Sequence, residues 1–194
     1  MTKPGIRKKL LVQREQLPPD TRAAHSAAIT ARLLQLPEYR QASAVLGYMN
    51  FGAEFASELW IRQVLADDKR LALPRVNRHT NQLDLYWVDD LETQLESGLW
   101  GIREPVVERC ERLSALNEVE FTLLPGVAFT RNGARLGYGG GFYDKLLART
   151  THNPALVAAA FALQLVEQIP QEATDVKVEW IITEQETIAC LAQE

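Results

Sequence analysis

The chain has 194 residues, 21 basic against 25 acidic side chains for a net charge of −4, and 46% hydrophobic against 24% charged residues. That length suits one domain with a sizeable core, and the composition excludes disordered, fibrous and coiled-coil classes. The acidic balance argues against nucleic acid as a partner, and neither a membrane span of about 18 apolar residues nor a secretory signal is present, so the cytoplasm is the expected location.

Residues 3–16 read as a helix that brings Ile6, Leu10 and Leu17 together and sets Lys3 and Arg7 four apart on a shared face. Pro18-Pro19 stops it. Asp20 and Thr21 offer an N-cap to a second helix, in which Ala24, Ala27, Ala28 and Ala31 follow apolar helical spacing up to Pro37. Ala44–Met49 is a compact apolar run with the character of a buried strand, leading into Asn50-Phe-Gly-Ala-Glu54. Helical spacing returns over 57–66. Strands are expected at Arg70–Val76, stopped by Pro74 and a polar turn, and at Leu83–Val88. A glycine- and proline-marked loop covers Ser97–Pro105, and a further strand covers Glu118–Phe129. After the glycine-rich stretch 131–141 come a short helix over 142–149, an interior strand at Leu156–Leu163 and a last one at Lys177–Thr183. Strands alternating with helices, several of them apolar on both faces, predict a single α/β domain over residues 1–194: a three-layer, Rossmann-like α/β/α arrangement with a mostly parallel central sheet.

Six of the 11 glycines fall between Gly126 and Gly141, where Arg135-Leu-Gly-Tyr-Gly-Gly-Gly-Phe-Tyr-Asp144 runs from a strand into a helix. Glycines at 137, 139, 140 and 141 let backbone N–H groups approach a ligand, and the helix start adds free donors. Arg135 and Lys145 bracket the loop with positive charge, so phosphate is the indicated guest. The spacing is neither a Walker A loop nor the dinucleotide fingerprint, because no GK[ST] follows Gly141 and position 142 is Phe. Asp144, an ordinary dipole partner in a first helical turn, is beside a polyphosphate also a suitable oxygen ligand for Mg²⁺, with Glu179 or Asp175 as a second carboxylate. Cys110 and Cys190 show no metal or disulfide spacing, His25, His79 and His152 no clustering, and no hydrolase motif occurs.

These stretches together resemble the 5-formyltetrahydrofolate cyclo-ligase family, also called 5,10-methenyltetrahydrofolate synthetases. The likeness rests on Lys3-x-x-x-Arg7, Glu54, Gly101-Ile-Arg-Glu-Pro105, the segment from Leu124 through Asp144, and Asp175-Val-Lys-Val-Glu-Trp-Ile-Ile-Thr-Glu184. It implies an ATP- and Mg²⁺-dependent closure of 5-formyltetrahydrofolate to 5,10-methenyltetrahydrofolate with release of ADP and phosphate. The chain is expected to act as a monomer with no nucleic-acid or membrane partner. By position, Lys3, Arg7, Arg135, Leu136, Gly137, Tyr138, Gly139, Gly140, Gly141, Phe142 and Tyr143 are the implied ATP contacts. Arg135 and Lys145 are the implied catalytic cations. Met49, Glu54, Trp100, Tyr138 and Phe142 form the implied folate site, and Asp144 and Glu179 the metal site. Trp60 and Trp87 read as core.

Three positions depart from the family pattern: Glu179 where relatives often carry Asp, Gly140 where some carry Lys, and Phe142 where Tyr is frequent. Two other readings fit the glycine loop: a non-catalytic module that binds folate or nucleotide, and an α/β enzyme of the sugar-phosphate isomerase type that needs no ATP.

Overall fold

Short runs of consecutive apolar residues, buried on both faces, build the sheet at the centre of this chain. The computed structural model describes residues 1–114 and 116–190; residues 191–194 of the expected domain lie outside the described residues. In chain order the elements are α1 (Lys3–Glu15), α2 (Pro19–Leu33), α3 (Pro37–Gln41), β1 (Ala44–Leu46), α4 (Ser57–Ala66), β2 (Arg70–Asn77) and β3 (Gln82–Trp87). There follow β4 (Leu95–Ser97), β5 (Arg103–Pro105), β6 (Arg112–Leu113), β7 (Phe121–Leu124), β8 (Ala128–Phe129), β9 (Arg135–Leu136), α5 (Phe142–Leu147), β10 (Ala155–Ala159), β11 (Trp180–Ile182) and β12 (Thr187–Ala189).

Eight of these strands form one sheet in the order β12-β11-β10-β7-β1-β2-β3-β6. The inner strands β2, β1, β7, β10 and β11 pair in parallel, and antiparallel strands close both edges. This is the mostly parallel α/β sheet that the sequence predicts. Numbered by their order in the chain, the parallel strands run 2-1-3-4-5, so the winding reverses between β1 and β7. In doubly wound sheets the crevice beyond the carboxyl ends of the strands at such a reversal is where ligands bind.

Successive strand residues point to opposite layers. Val45, Leu71, Leu73, Phe121, Leu123 and Val157 pack with Ile29, Leu33, Tyr39, Trp60, Ile61 and Val64 of α2–α4. Ala44, Leu46, Ala72, Leu124, Ala158 and Ile181 face Leu146 and Leu147 of α5. Helix α1 lies apart, with Ile6 and Leu10 against Val127, Ala128, Ala134 and Leu136 of the β8–β9 ribbon. No helix among the described residues is long and apolar enough to cross a membrane.

Several local expectations are corrected. Helix α2 starts on Pro19 with no side-chain cap, and its buried residues are Ser26, Ile29 and Leu33, while Ala24, Ala27 and Ala31 face solvent. A buried Leu or Ile contributes about 1.5–3 kcal/mol, so two large side chains outcompete a stripe of methyl groups. Strand β2 runs through Pro74 to Asn77; β1 pairs only as far as Ala72, so the missing N–H of Pro74 costs no ladder bond on that side. The expected 118–129 strand divides at Pro125-Gly126, where the Phe129 ring occupies the space of a Cβ on Gly126. The expected 97–105 loop is a hairpin of β4 and β5.

Candidate active site

Helix α1 begins at a Thr2 cap, whose hydroxyl accepts from the Gly5 N–H at 3.3 Å. Ile6 and Leu10 bind it to the β8–β9 ribbon, which sets Lys3, Arg7 and Arg14 over the glycine loop. Lys3 Nζ lies 2.8 Å from Asp175 Oδ2 and 3.0 Å from Glu172. Arg7 Nε donates to the Gly137 carbonyl at 2.8 Å. Arg14 Nη2 donates to the Tyr138 hydroxyl at 2.7 Å. From Lys3 to Arg14 the helix spans about 16 Å at 1.5 Å per residue.

The loop itself adopts left-handed backbone at Gly139 (φ +112°) and Gly141 (φ +62°), conformations that disfavour a side chain. Among the described residues, the backbone N–H groups from Gly137 to Gly141 donate to no protein acceptor. They are open to solvent or to a ligand. The cleft they border has a volume of about 650 Å³ and is lined by Lys3, Arg7, Arg135, Leu136, Gly137, Gly139, Gly141, Asp144, Lys145, Ala148, Glu172, Ala173, Thr174 and Asp175. Four cations, Lys3, Arg7, Arg135 and Lys145, thus share the cleft with three carboxylates, Asp144, Glu172 and Asp175.

Arg135 is buried beneath the loop, its side chain 4% exposed, and donates through Nη2 to Asp144 at 2.7 Å and through Nη1 to the Pro125 carbonyl at 3.2 Å. Its Nε has no partner. Asp144 also accepts from the Val176 N–H at 3.4 Å, which brings the Asp175 segment alongside. Burial pushes the Asp175 carboxyl up, but the Lys3 ammonium, the Glu172 N–H and the Arg135 charge outweigh it and hold the group below its ordinary range.

A second constellation continues from the same loop. Tyr138 donates its hydroxyl proton to Glu54 Oε1, and the Phe51 N–H donates to Glu54 Oε2 at 2.7 Å. Glu54 is 8% exposed and lies beyond the carboxyl end of β1, at the reversal point of the sheet. Burial raises its carboxyl above the ordinary range, against the opposing pull of the Tyr138 hydroxyl, the Phe51 N–H and the Arg14 charge. Tyr48 and Tyr143 also face it, and burial raises both phenols.

The sequence pattern of the 5-formyltetrahydrofolate cyclo-ligase family matches residues 1–184. The chain belongs to the 5-formyltetrahydrofolate cyclo-ligase family. A cyclo-ligase of Haemophilus influenzae is 32% identical over 150 residues, 77% of this chain and 80% of that protein. One of Mycolicibacterium smegmatis is 30% identical over 98% of this chain and 97% of that one. The solved structure of a 5,10-methenyltetrahydrofolate synthetase from Aquifex aeolicus has a TM-score of 0.86 and 34% identity, covering 100% of this chain and 95% of that one. Cyclo-ligases are ATP-binding ligases of folate one-carbon metabolism, and this chain is an enzyme of that family.

Of the cyclo-ligase positions singled out in the sequence, Lys3, Arg7, Arg135, Leu136, Gly137, Gly139, Gly141, Asp144 and Lys145 line one cleft. Gly140 completes the loop, with the Phe142 ring against it. Tyr138, Tyr143 and Glu54 meet beside it. Met49 is buried in the core below. Trp100 stands 62% exposed between β4 and β5, with φ +58°. Met49 and Trp100 thus join neither group, and nor does Glu179: it precedes β11, its N–H donates to the Leu156 carbonyl, and its charged neighbour is Glu38. It does not line the cleft, whereas Asp175 does. Arg14 and Tyr48 were not singled out. The signal for Arg14 was present, since 3, 7 and 14 share one helical face.

Proposed function

We propose that residues 1–194 act as one catalytic unit that converts 5-formyltetrahydrofolate and ATP into 5,10-methenyltetrahydrofolate, ADP and phosphate. The observation that favours this reading is the shared loop: Gly137 borders the cleft that Lys3, Arg7, Arg135 and Lys145 line, while its neighbour Tyr138 bonds Glu54. A triphosphate and a pterin bound at these two places would meet across residues 137 and 138. The net charge of −4 favours small-molecule substrates over nucleic acid. The reading takes the enzyme to be a cytoplasmic monomer.

In this reading the open N–H groups of the loop, with Arg7, Lys3 and Lys145, hold the triphosphate. Glu54 uses one lone pair on each oxygen for Tyr138 and Phe51, which leaves acceptor capacity for the N–H groups of a pterin. The formyl oxygen attacks the γ-phosphorus and ADP leaves. N10 then attacks the formyl carbon, loses its proton, and the former formyl oxygen departs in inorganic phosphate. Arg135, whose buried Nε has no partner, stabilises charge on the transferring group. Placement of the two reactants contributes the rest.

The residues present fit Mg²⁺. Asp144 takes its hydrogen bonds on Oδ1 and Asp175 on Oδ2, so one oxygen of each is unused among the described residues. Mg²⁺ keeps several waters and binds through one or two carboxylates plus substrate phosphates, so the absence of a cluster of three ligands among the described residues is no obstacle. When bound, the ion neutralises phosphate charge. Asp144 and Asp175 are the residues that would hold it, with Lys3 keeping Asp175 ionised.

The test is the absorbance of the methenyl product in mixtures of protein, Mg²⁺, ATP and 5-formyltetrahydrofolate. Product that requires all components supports the reading. Binding without product favours a storage module, and product without ATP removes the phosphoryl-transfer route.

A further inference from the structure

Arg14 belongs to neither the cleft nor the set of positions that the family resemblance marks, yet it is 4% exposed, an unusual place for a guanidinium. Its burial is not explained by an ion pair, since among the described residues it bonds no carboxylate directly. What it touches is a phenol: Nη2 lies 2.7 Å from the Tyr138 hydroxyl, and its guanidinium carbon is 5.7 Å from the centre of the same ring. Arg14 only donates, an ionised Glu54 only accepts, and the phenol has one proton. The direction of the chain is therefore fixed. Arg14 donates to Tyr138, and Tyr138 must donate to Glu54.

Resting on the reading above, we propose that Arg14 is a positioning residue for the folate subsite: it fixes the Tyr138 phenol so that Glu54 is held facing the substrate. Without Arg14 the Tyr138 hydroxyl can rotate or find another acceptor, and the loop tip that bears it loses one of its two ties to α1. The other tie, Arg7 to Gly137, stays with the nucleotide side. Arg14 thus acts on pterin binding, and its effect should separate from ATP binding. The charged and titratable groups around Glu54 are Arg14 from α1, Tyr48 from the end of β1, Tyr138 from the loop and Tyr143 from α5. Arg14 is the cation that offsets burial of the carboxylate there. Its loss should move the acid limb of folate binding to higher pH.

The experiment compares the parent chain with Arg14→Met, Tyr138→Phe and the double variant, using calorimetric affinity for 5-formyltetrahydrofolate without ATP, both KM values, kcat and melting curves. Loss of a charge-assisted hydrogen bond predicts about ten-fold weaker folate binding in Arg14→Met, with the KM for ATP within about two-fold of the parent. In the Tyr138→Phe background the Arg14 change should add little further loss, and the acid limb should rise in Arg14→Met. Unchanged folate affinity, equal losses for ATP and folate, or additive losses in the double variant would each overturn the role. If Arg14→Met does not fold, Arg14→Lys keeps the charge without the planar fork and is judged by the same comparisons. A parent chain that forms no product sinks the reaction assigned above; a parent that turns over while the Arg14 variants bind folate normally sinks only this proposal.

Discussion

A Cβ placed on Gly140 would lie 2.6 Å from the Phe142 ring, which folds back over the glycine. These are two positions at which the sequence departs from the family pattern, and the structure makes them a single departure. The ring occupies the space into which a side chain at 140 would grow. Gly140 has no positive φ, so the obstacle is the ring and not the backbone. Gly140→Ala should therefore weaken ATP binding and lower the melting temperature, by less than overpacking a core costs, since Gly140 is exposed and Phe142 only half-buried. Combining it with Phe142→Ala should cost less than the sum of the two single changes. A double-mutant cycle on the KM for ATP and on melting checks this; strict additivity would show that the ring does not police the position.

Arg135 presents a different separation. Its guanidinium is held by Asp144 and the Pro125 carbonyl under the phosphate loop. It makes no hydrogen bond to Glu54 or Tyr138. Arg135→Ala should lower kcat by about 10²–10³, the usual scale for removing a preorganised donor to developing charge. Affinity for 5-formyltetrahydrofolate should change little. Calorimetry alongside single-turnover kinetics distinguishes the outcomes, and a variant that keeps turnover but loses folate affinity would place Arg135 in the wrong subsite.

The parts of this site legible in the sequence are those written in local spacing. Lys3 and Arg7 share a helical face, and the glycines of residues 137–141 announce an open backbone, so both could be read without a fold. The parallel strands were legible as apolar runs, although Pro125-Gly126 divides one of them. What spacing cannot supply is which end of a strand a residue occupies. Asp175 and Glu179 are four apart, but the loop between them returns the chain from the ligand end of the sheet to the amino end of β11. One carboxylate consequently lines the cleft and the other sits beside Glu38. Arg14 shares the helical face of Lys3 and Arg7, but the contact that gives it a role, with Tyr138 124 residues away, is made only by the fold.

The burial of Glu54 sets a pH dependence. Pterin binding in the proposed mode needs the ionised carboxylate as an acceptor, and burial pushes that carboxyl above the ordinary glutamate range. Folate affinity should thus fall on acidification at a pH nearer neutrality than an exposed glutamate would give. The stability sign is the reverse: the folded chain binds this proton more tightly than the unfolded one, so the contribution of protonated Glu54 is present at low pH and is lost as pH rises through the folded pKa. Glu54→Gln should weaken folate binding at neutral pH and flatten the acid limb. Calorimetric titrations across pH check both, and an unchanged limb in Glu54→Gln would assign it to another group.

The carboxylate pair yields the sharpest comparison. Asp175 is held ionised by Lys3, its hydrogen bonds fall on Oδ2, and the adjacent Val176 N–H reaches Asp144. Glu179 has none of these relations. Asp175→Asn and Asp144→Asn should each raise the Mg²⁺ concentration needed for half-maximal turnover, whereas Glu179→Gln should leave it unchanged. The depressed Asp175 pKa adds a second readout: the Lys3 pair supports the folded state above the unfolded carboxylate pKa and ceases to as pH falls through the folded one. The pair is partly exposed, so this contribution is small and screened by salt. Metal titrations of the three variants at fixed ATP decide the matter, because a raised requirement in Glu179→Gln with none in Asp175→Asn would return the second metal ligand to the position before β11.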